Sequence, residues 1–263
     1  MKFAGIIAEY DPFHNGHAWQ LAQAKALGAE RVAVAMSCSL VQRGALPLLP
    51  EAIRTRSALT CGADLVFALP APCACAGAEA FARAGVALLA AAGCDGLVFG
   101  AETPDAALLM EAAELLDSDS YRAALKAQLA GGARSFAAAR QAAAAKLASD
   151  ERVAALLDKP NNNLAVEYCR AIRSLAPRME AYPLPRQGAN HGEALHSAHG
   201  QFASASALRK LWAEGGADAV APYVPEAVFP LYQEAYAAGQ YTDFSAAGRC
   251  ELALLRSACR GKA

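Results

Sequence analysis

Two histidines three positions apart, His14 and His17, flank Asn15 and Gly16 just after an apolar run and just before a stretch with helical spacing. Imidazole rings offer N–H donors that suit phosphate oxygens. A helix start adds backbone N–H groups and the positive end of the helix dipole. A spacing of three puts both rings on one side of the first turn. Gly16 carries no side chain, which lets a bulky anion approach the backbone. The ligand that fits is a polyphosphate. The fitting chemistry is in-line attack on a phosphorus whose oxygens gain charge, stabilised by preorganised donors. An isolated H-x-G-H is compatible with two ordinary loop histidines. The strand before it, the helix after it and the Pro12-Phe13 lead-in decide for a functional site.

The elements that must hold this motif alternate. Lys2–Ala8, Arg31–Met36, Ala63–Leu69 and Cys94–Phe99 are short apolar runs that read as strands, and Met179–Pro183 reads as a fifth. Helical spacing is expected over Gly16–Leu27, Pro50–Thr60 and Gly77–Ala92. Solid apolar strands alternating with helices indicate βαβ units and a buried parallel sheet. A doubly wound sheet takes its ligand at the carboxyl ends of its strands, where the histidines fall. Leu108–Leu157 is helical in pattern, interrupted at Ser118 and Gly131-Gly132. Pro160–Asn163 reads as a break that caps a helix over Leu164–Ser174. Gly188–Gly200 reads as a loop, Ala205–Glu214 as a helix and Gly215–Pro225 as a turn region, with helices over Glu226–Ala238 and about Ala247–Cys259. The expected fold is a doubly wound, Rossmann-like α/β domain over residues 1–175, with a helical insertion over about 105–158. Residues 176–263 complete it with a mostly helical part.

Composition narrows the function classes. The chain of 263 residues is 55% hydrophobic, which is enough for a substantial core and excludes disorder. The formal net charge of −1 argues against a strongly basic nucleic-acid face, although Arg54, Arg56 and Arg83 are a local cluster. No uncharged apolar run is long enough to span a membrane, and Met1-Lys2-Phe3 leads into a strand rather than a signal peptide. The eight cysteines match neither a disulfide framework nor a zinc ribbon, and reduced thiols fit a cytoplasmic protein. His191, His196 and His199 share a glycine-containing stretch with Glu193 as its carboxylate; they read as loop residues rather than a metal site.

The stretch Ile6–His17 resembles the His-x-Gly-His nucleotidyltransferase superfamily, and more closely the tRNA(Met) cytidine acetate ligases. Further segments resemble that family in order along the chain. They are Val41-Gln42-Arg43-Gly44, Gly62–Val66 through Leu69-Pro70, Phe99–Glu102, Lys159–Asn162, Glu167-Tyr168 and Ala203–Arg209. Members activate acetate with ATP as acetyl-adenylate and then acetylate the wobble cytidine of elongator tRNA(Met). The resemblance implies His14 and His17 as catalytic donors. It implies an ATP site over Ile7, Ala8, Glu9, Tyr10, Asp11, Pro12, Phe13, His14, Asn15, Gly16, His17, Ala18, Trp19 and Gln20. Around it would stand Gly100, Asn161, Asn162 and Arg186, with Ser204, Ser206 and Arg209 as a second phosphate motif. His191 stands where the family has a histidine. ATP would arrive with Mg²⁺, which neutralises triphosphate charge; the chain itself is expected to supply no metal site.

The residues allow quieter roles as well: Gly100 as a strand-ending turn, either asparagine as a helix cap, Ser204 as an N-cap, and the arginines as solvated side chains. Three places depart from the family. Cys38-Ser39-Leu40 replaces a Gly-Asn-Phe, Asp11 replaces an asparagine, and Glu51 and Arg54 stand in a helix that usually carries a lysine. Asp11 would add negative charge near the phosphates. Ser39, Gln42 and Arg43 are expected in the acceptor loop, Ser37–Gly44, as a wall of the acetate pocket. Members run longer, with a C-terminal region that helps to hold tRNA, so tRNA binding is expected to be weak here. The alternatives are a small-molecule adenylyltransferase, an acetate ligase with a protein-thiol acceptor, and a weakened ATP- or tRNA-binding paralogue.

Overall fold

The computed structural model describes residues 1–41, 44–186, 195–197 and 200–250. Five strands, β1 (Phe3–Ala8), β2 (Arg31–Ser37), β3 (Leu65–Leu69), β4 (Gly96–Ala101) and β5 (Glu180–Pro185), form one sheet in the order β3-β2-β1-β4-β5. Every neighbouring pair is parallel. This is the expected doubly wound α/β architecture. Apolar residues alternate between the two faces, as strand geometry requires. Ala33, Ala35, Leu97 and Phe99 join one core, and Ala4, Ile6, Val34 and Val98 join the other.

The first core is roofed by α4 (Ala78–Ala91), α5 (Ala106–Asp117) and α9 (Pro160–Leu175). The second is roofed by α1 (Asn15–Ala26), α2 (Glu51–Thr60), α10 (Ala205–Val220) and α11 (Phe229–Ala237). A four-residue helix, α3 (Ala71–Ala74), follows Pro70, where only a strand stop was expected. Between α5 and α9 lie α6 (Asp119–Ala130), α7 (Phe136–Leu147) and α8 (Glu151–Leu156). The expected interruptions are their boundaries: Ser118 caps α6 and Gly131 ends it. Buried Glu167 of α9 ties this layer down, pairing with Arg140 of α7 at 2.5 Å and Arg170 at 2.7 Å.

The chain order is the reason for the crevice. β2 lies on one side of β1 and β4 on the other, the switch point of an open α/β sheet. β1 follows β2 over six residue pairs but meets β4 only at Ala4–Gly96 and Gly5–Leu97. The two strands therefore part toward their carboxyl ends. Gln20 of α1 enters the gap and donates to the Val98 carbonyl at 3.1 Å, a group that a longer ladder would have occupied.

Four expectations need correction. The helix expected from Leu164 begins at Pro160, whose fixed φ suits a first helical position, so the asparagines lie in its first turn rather than in a break. The expected loop before Phe202 contains a short antiparallel hairpin, β6 (Leu195–Ser197) and β7 (Gly200–Phe202), with Leu195 opposite the buried Phe202. The helix expected to stop at Glu214 continues to Val220 through a kink at Gly216, φ 68°. A side chain there would strike the Tyr236 ring, so only glycine admits the kink. The helix expected from Glu226 begins at Phe229. Residues 244–250 are helical, in keeping with the last expected helix, whose remainder lies outside the described residues.

Candidate active site

The phosphate-loop candidate starts where β1 ends. Tyr10 takes a left-handed φ of 50° and turns the chain back; its ring is buried against Phe13 and His17, with centroids at 4.9 and 4.8 Å. The Asp11–Pro12 peptide is cis. His14 is the N-cap of α1, and its Nδ1 accepts the Gly16 N–H at 3.1 Å. The His17 Nδ1 accepts the His14 N–H at 3.3 Å, completing a reciprocal capping box in which both partners are imidazoles.

This arrangement fixes the chemistry of the rings. Each Nδ1 faces an N–H donor, so it carries no proton, and the proton of the neutral ring sits on Nε2. The rings stack at 3.7 Å, 19° from parallel. Both are held neutral. Burial, followed by the charge of Arg186, pushes His14 down to about 3, and burial, His14 and Arg186 hold His17 well below its usual range. The result is a pair of uncharged Nε2–H donors side by side. The backbone plays a smaller part than the sequence suggests. The N–H groups of His17 and Ala18 bond the His14 carbonyl at 2.9 and 3.1 Å, and that of Gly16 is spent on the His14 ring. Gly16 is explained by that ring: a Cβ would lie 2.9 Å from His14 Cε1.

The histidines line a cleft of about 310 Å³ with Ile7, Gly16, Trp19, Gln20, Gly100, Asn161, Arg186 and Ser204. Gly100 lies within β4 rather than after it, and a Cβ would sit 3.4 Å from Arg186 Cγ. Arg186 is the one charged side chain lining the cleft among the described residues, and its Nη1 donates to Asn161 Oδ1. Ser204 caps α10 by accepting the Ala207 N–H at 3.2 Å, and its hydroxyl lies 3.1 Å from that of Ser206.

Other expected site residues build the loop rather than line the cleft. Asp11 is buried: its Oδ1 accepts the Leu48 N–H at 2.6 Å and its Oδ2 pairs with Arg209 at 3.0 Å. The negative charge expected to face phosphate is thus directed into the protein and neutralised there, and Arg209 is committed to Asp11 by one of its nitrogens. Pro12 and Phe13 are buried, Tyr232 Oη donates to the Phe13 carbonyl at 2.7 Å, and Asn15 Nδ2 donates to the Pro222 carbonyl at 3.2 Å. Ala8 and Ala18 pack against the second core. Asn162 is buried, exchanging hydrogen bonds with Thr103. Neither asparagine caps α9; the Glu102 carboxylate does, accepting the N–H of Asn161 at 3.2 Å and of Asn162 at 2.6 Å.

Ser39 is not brought to the cleft. It lines a separate recess with Cys38, Pro47, Glu51, Tyr241 and Thr242. Gln42, Arg43 and His191 lie outside the described residues, and so do His199 and the side chain of His196. Arg54 does not form a basic patch. It is fully buried, and its guanidinium donates to the carbonyls of Leu49, Glu9, Ser37 and Cys38. It thereby gathers the carboxyl ends of β1 and β2 and the approach to α2. Sequence reasoning missed Glu102, Arg54 and Tyr168, whose ring lines the cleft against Phe99. Glu102 and Tyr168 lie in segments with a family resemblance, which was the available signal; Arg54 lies outside those segments and had none.

The cleft lining contains no carboxylate, and among the described residues no group of three metal-ligating side chains occurs. No described helix is long and apolar enough to cross a membrane.

Residues 1–257 match the HIGH nucleotidyl transferase family. The tRNA(Met) cytidine acetate ligase of Syntrophotalea carbinolica is 41% identical over 82% of this chain and 52% of its own length. The enzyme of the same name from Caldanaerobacter subterraneus subsp. tengcongensis is 35% identical over 91% of this chain and 60% of its own. Thermotoga maritima TmcAL bound with alpha-thio ATP superposes with a TM-score of 0.82 at 31% identity, covering 92% of this chain and 57% of that one. The chain thus spans between half and three fifths of the length of these relatives.

Proposed function

The chain belongs to the HIGH nucleotidyl transferase family, and from that premise we propose that it adenylates acetate with ATP and passes the acetyl group to the wobble cytidine of elongator tRNA(Met). The observation that carries this reading is the pair of neutral, stacked Nε2–H donors lining a cleft at the switch point of the sheet, with Arg186 as its cation. A small carboxylate supplies the nucleophile, so no protein nucleophile is required; the Ser204 hydroxyl in the lining is engaged as the cap of α10. One acetate oxygen attacks the α-phosphorus. The bond from that phosphorus to the bridging oxygen breaks, and pyrophosphate leaves with the electron pair. His14 and His17 donate to oxygens that gain charge as the bond forms, and being uncharged they need no proton transfer to do so. The cytidine amine then attacks the acetyl carbonyl, AMP departs, and the amine loses a proton. The divalent ion belongs to the nucleotide substrate, since the lining supplies no ligand set to hold it. The relatives named tRNA(Met) cytidine acetate ligase and the neighbour holding alpha-thio ATP support the choice of substrates.

The test is mass spectrometry of the products of ATP, Mg²⁺ and acetate with hydroxylamine as trap. Acetate-dependent AMP, pyrophosphate and acetohydroxamate are expected. ADP and phosphate instead, or no acetate dependence, would overturn the adenylation step. Transfer is read separately, as acetyl incorporation into elongator tRNA(Met).

A further inference from the structure

An asparagine at the mouth of the cleft sits between a group that only accepts hydrogen bonds and a group that only donates them. Asn161 Nδ2 donates to Glu102 Oε1 at 2.6 Å, and Asn161 Oδ1 accepts from Arg186 Nη1. An amide can be turned end for end without changing its shape. Here only one orientation is tolerable. Turned over, it would set oxygen against carboxylate and NH₂ against guanidinium. The same carboxylate accepts two backbone N–H groups of the first turn of α9, so its own position is fixed.

We infer that Glu102 is a positioning residue: it sets the orientation of the Asn161 amide and through it holds the Arg186 guanidinium over the cleft. The inference rests on the reading of that cleft as the nucleotide site. Holding Arg186 by one Nη leaves its remaining N–H groups for phosphate or ribose oxygens and removes side-chain freedom before the nucleotide arrives. It also keeps a positive charge beside the two histidines, which favours their neutral forms. Glu102 itself does not line the cleft, so its effect is indirect.

Glu102→Ala removes the partner of the Asn161 amide together with the cap, whereas Asn161→Ala cuts the link to Arg186 and leaves the carboxylate on both backbone N–H groups. Glu102→Gln can keep its oxygen where Oε1 stands, which accepts both the Asn161 N–H and its Nδ2, and gives up only the Asn162 N–H. The experiment uses the full chain with ¹⁵N-arginine labelling, first without nucleotide. Resolved, slowly rotating Arg186 Nη signals are expected in the parent and in Glu102→Gln, and averaged signals in Glu102→Ala and Asn161→Ala. ATP affinity should weaken roughly tenfold in each alanine variant and no further when the two are combined. Unchanged Arg186 signals in Glu102→Ala would overturn the inference. So would averaged signals with unchanged ATP affinity, or losses that add in the combined variant. The spectrum needs no ATP, so failure of the nucleotide reading would appear separately, as a parent chain that binds no ATP but still shows the signal pattern.

Discussion

Asp11 and Arg209, 198 positions apart, are joined twice: Arg209 Nη1 donates to the Asp11 main-chain carbonyl at 2.7 Å and to its Oδ2 at 3.0 Å. The first phosphate motif is thereby tied to the helix that carries the second. Arg209→Met should leave a buried carboxylate whose remaining hydrogen-bond partner among the described residues is the Leu48 N–H. Because the arginine side chain is one-third exposed, the expected cost is about 2 kcal/mol, below the ~3–5 kcal/mol of a fully buried pair. Urea denaturation measures it. A double-mutant cycle with Asp11→Ala should give a coupling of about 0.5–3 kcal/mol; additive losses would refute the clasp.

Replacing His14 or His17 by Ala should lower acetate-dependent pyrophosphate release by roughly two to three orders of magnitude, the usual cost of one transition-state donor. His14→Ala also removes an N-cap, at about 1 kcal/mol. His14→Asn keeps a capping oxygen, so its stability should recover while its turnover does not. Recovery of both would mean that the ring acts only as a cap.

Acid should loosen the loop. Both histidines are held below the ordinary value near 6.5, so the unfolded chain binds more protons than the folded one on the acid side of that value. Their contribution is complete above about pH 7 and fades as pH falls below 6.5, for His14 down to about 3. The limiting slope is about 1.4 kcal/mol per pH unit for each ring. The urea midpoint should therefore fall between pH 7 and pH 5, and a His14→Asn, His17→Asn chain should show a flatter profile. Equal slopes would remove the assigned cause.

Gly16→Ala should injure turnover more than folding. Its Cβ would lie 2.9 Å from His14 Cε1 and 3.0 Å from Nδ1, so the ring must move. A displacement near 1 Å at a reacting group costs on the order of 10²-fold. kcat should fall by about that factor with a melting temperature close to the parent's; normal kcat would show that the ring need not sit where it does.

Ser39→Asn should leave acid selection alone, because the Ser39 recess and the histidine cleft share no lining residue. The ratio of kcat/KM for acetate and propionate should change by less than about twofold. A change near the ~1–3 kcal/mol worth of one methylene would place the acid against that loop after all.

The sheet and its ligand edge were legible because parallel strands are solid apolar runs and the motif directly follows the first. The residues that arrange the site were not. Arg54 reads as a surface cation until its four carbonyl partners are found at the end of β2 and in two connecting loops. Asp11 reads as charge beside phosphate until Arg209 and Leu48 are found against it. Asn161 reads as a cap because the capping carboxylate, Glu102, lies 59 positions earlier. Local patterns carry no trace of such distant partners. The extension of α10 through Gly216 was hidden for the opposite reason, since a glycine pair reads as a stop.

The loop that carries the two histidines is secured by Pro222, Tyr232 and Arg209, over separations of 207, 219 and 198 residues. During synthesis that loop emerges early and its anchors late. Closing such long loops is slow, and the nearer bonds from Leu48 and Arg54 reach only Asp11 and Glu9. A ribosome-bound chain lacking Tyr232 would hold all five strands of the sheet, the last ending at Pro185, with the nucleotide edge unfastened. On the function proposed above, the edge would be ready for ATP only once the helix carrying Tyr232 has formed.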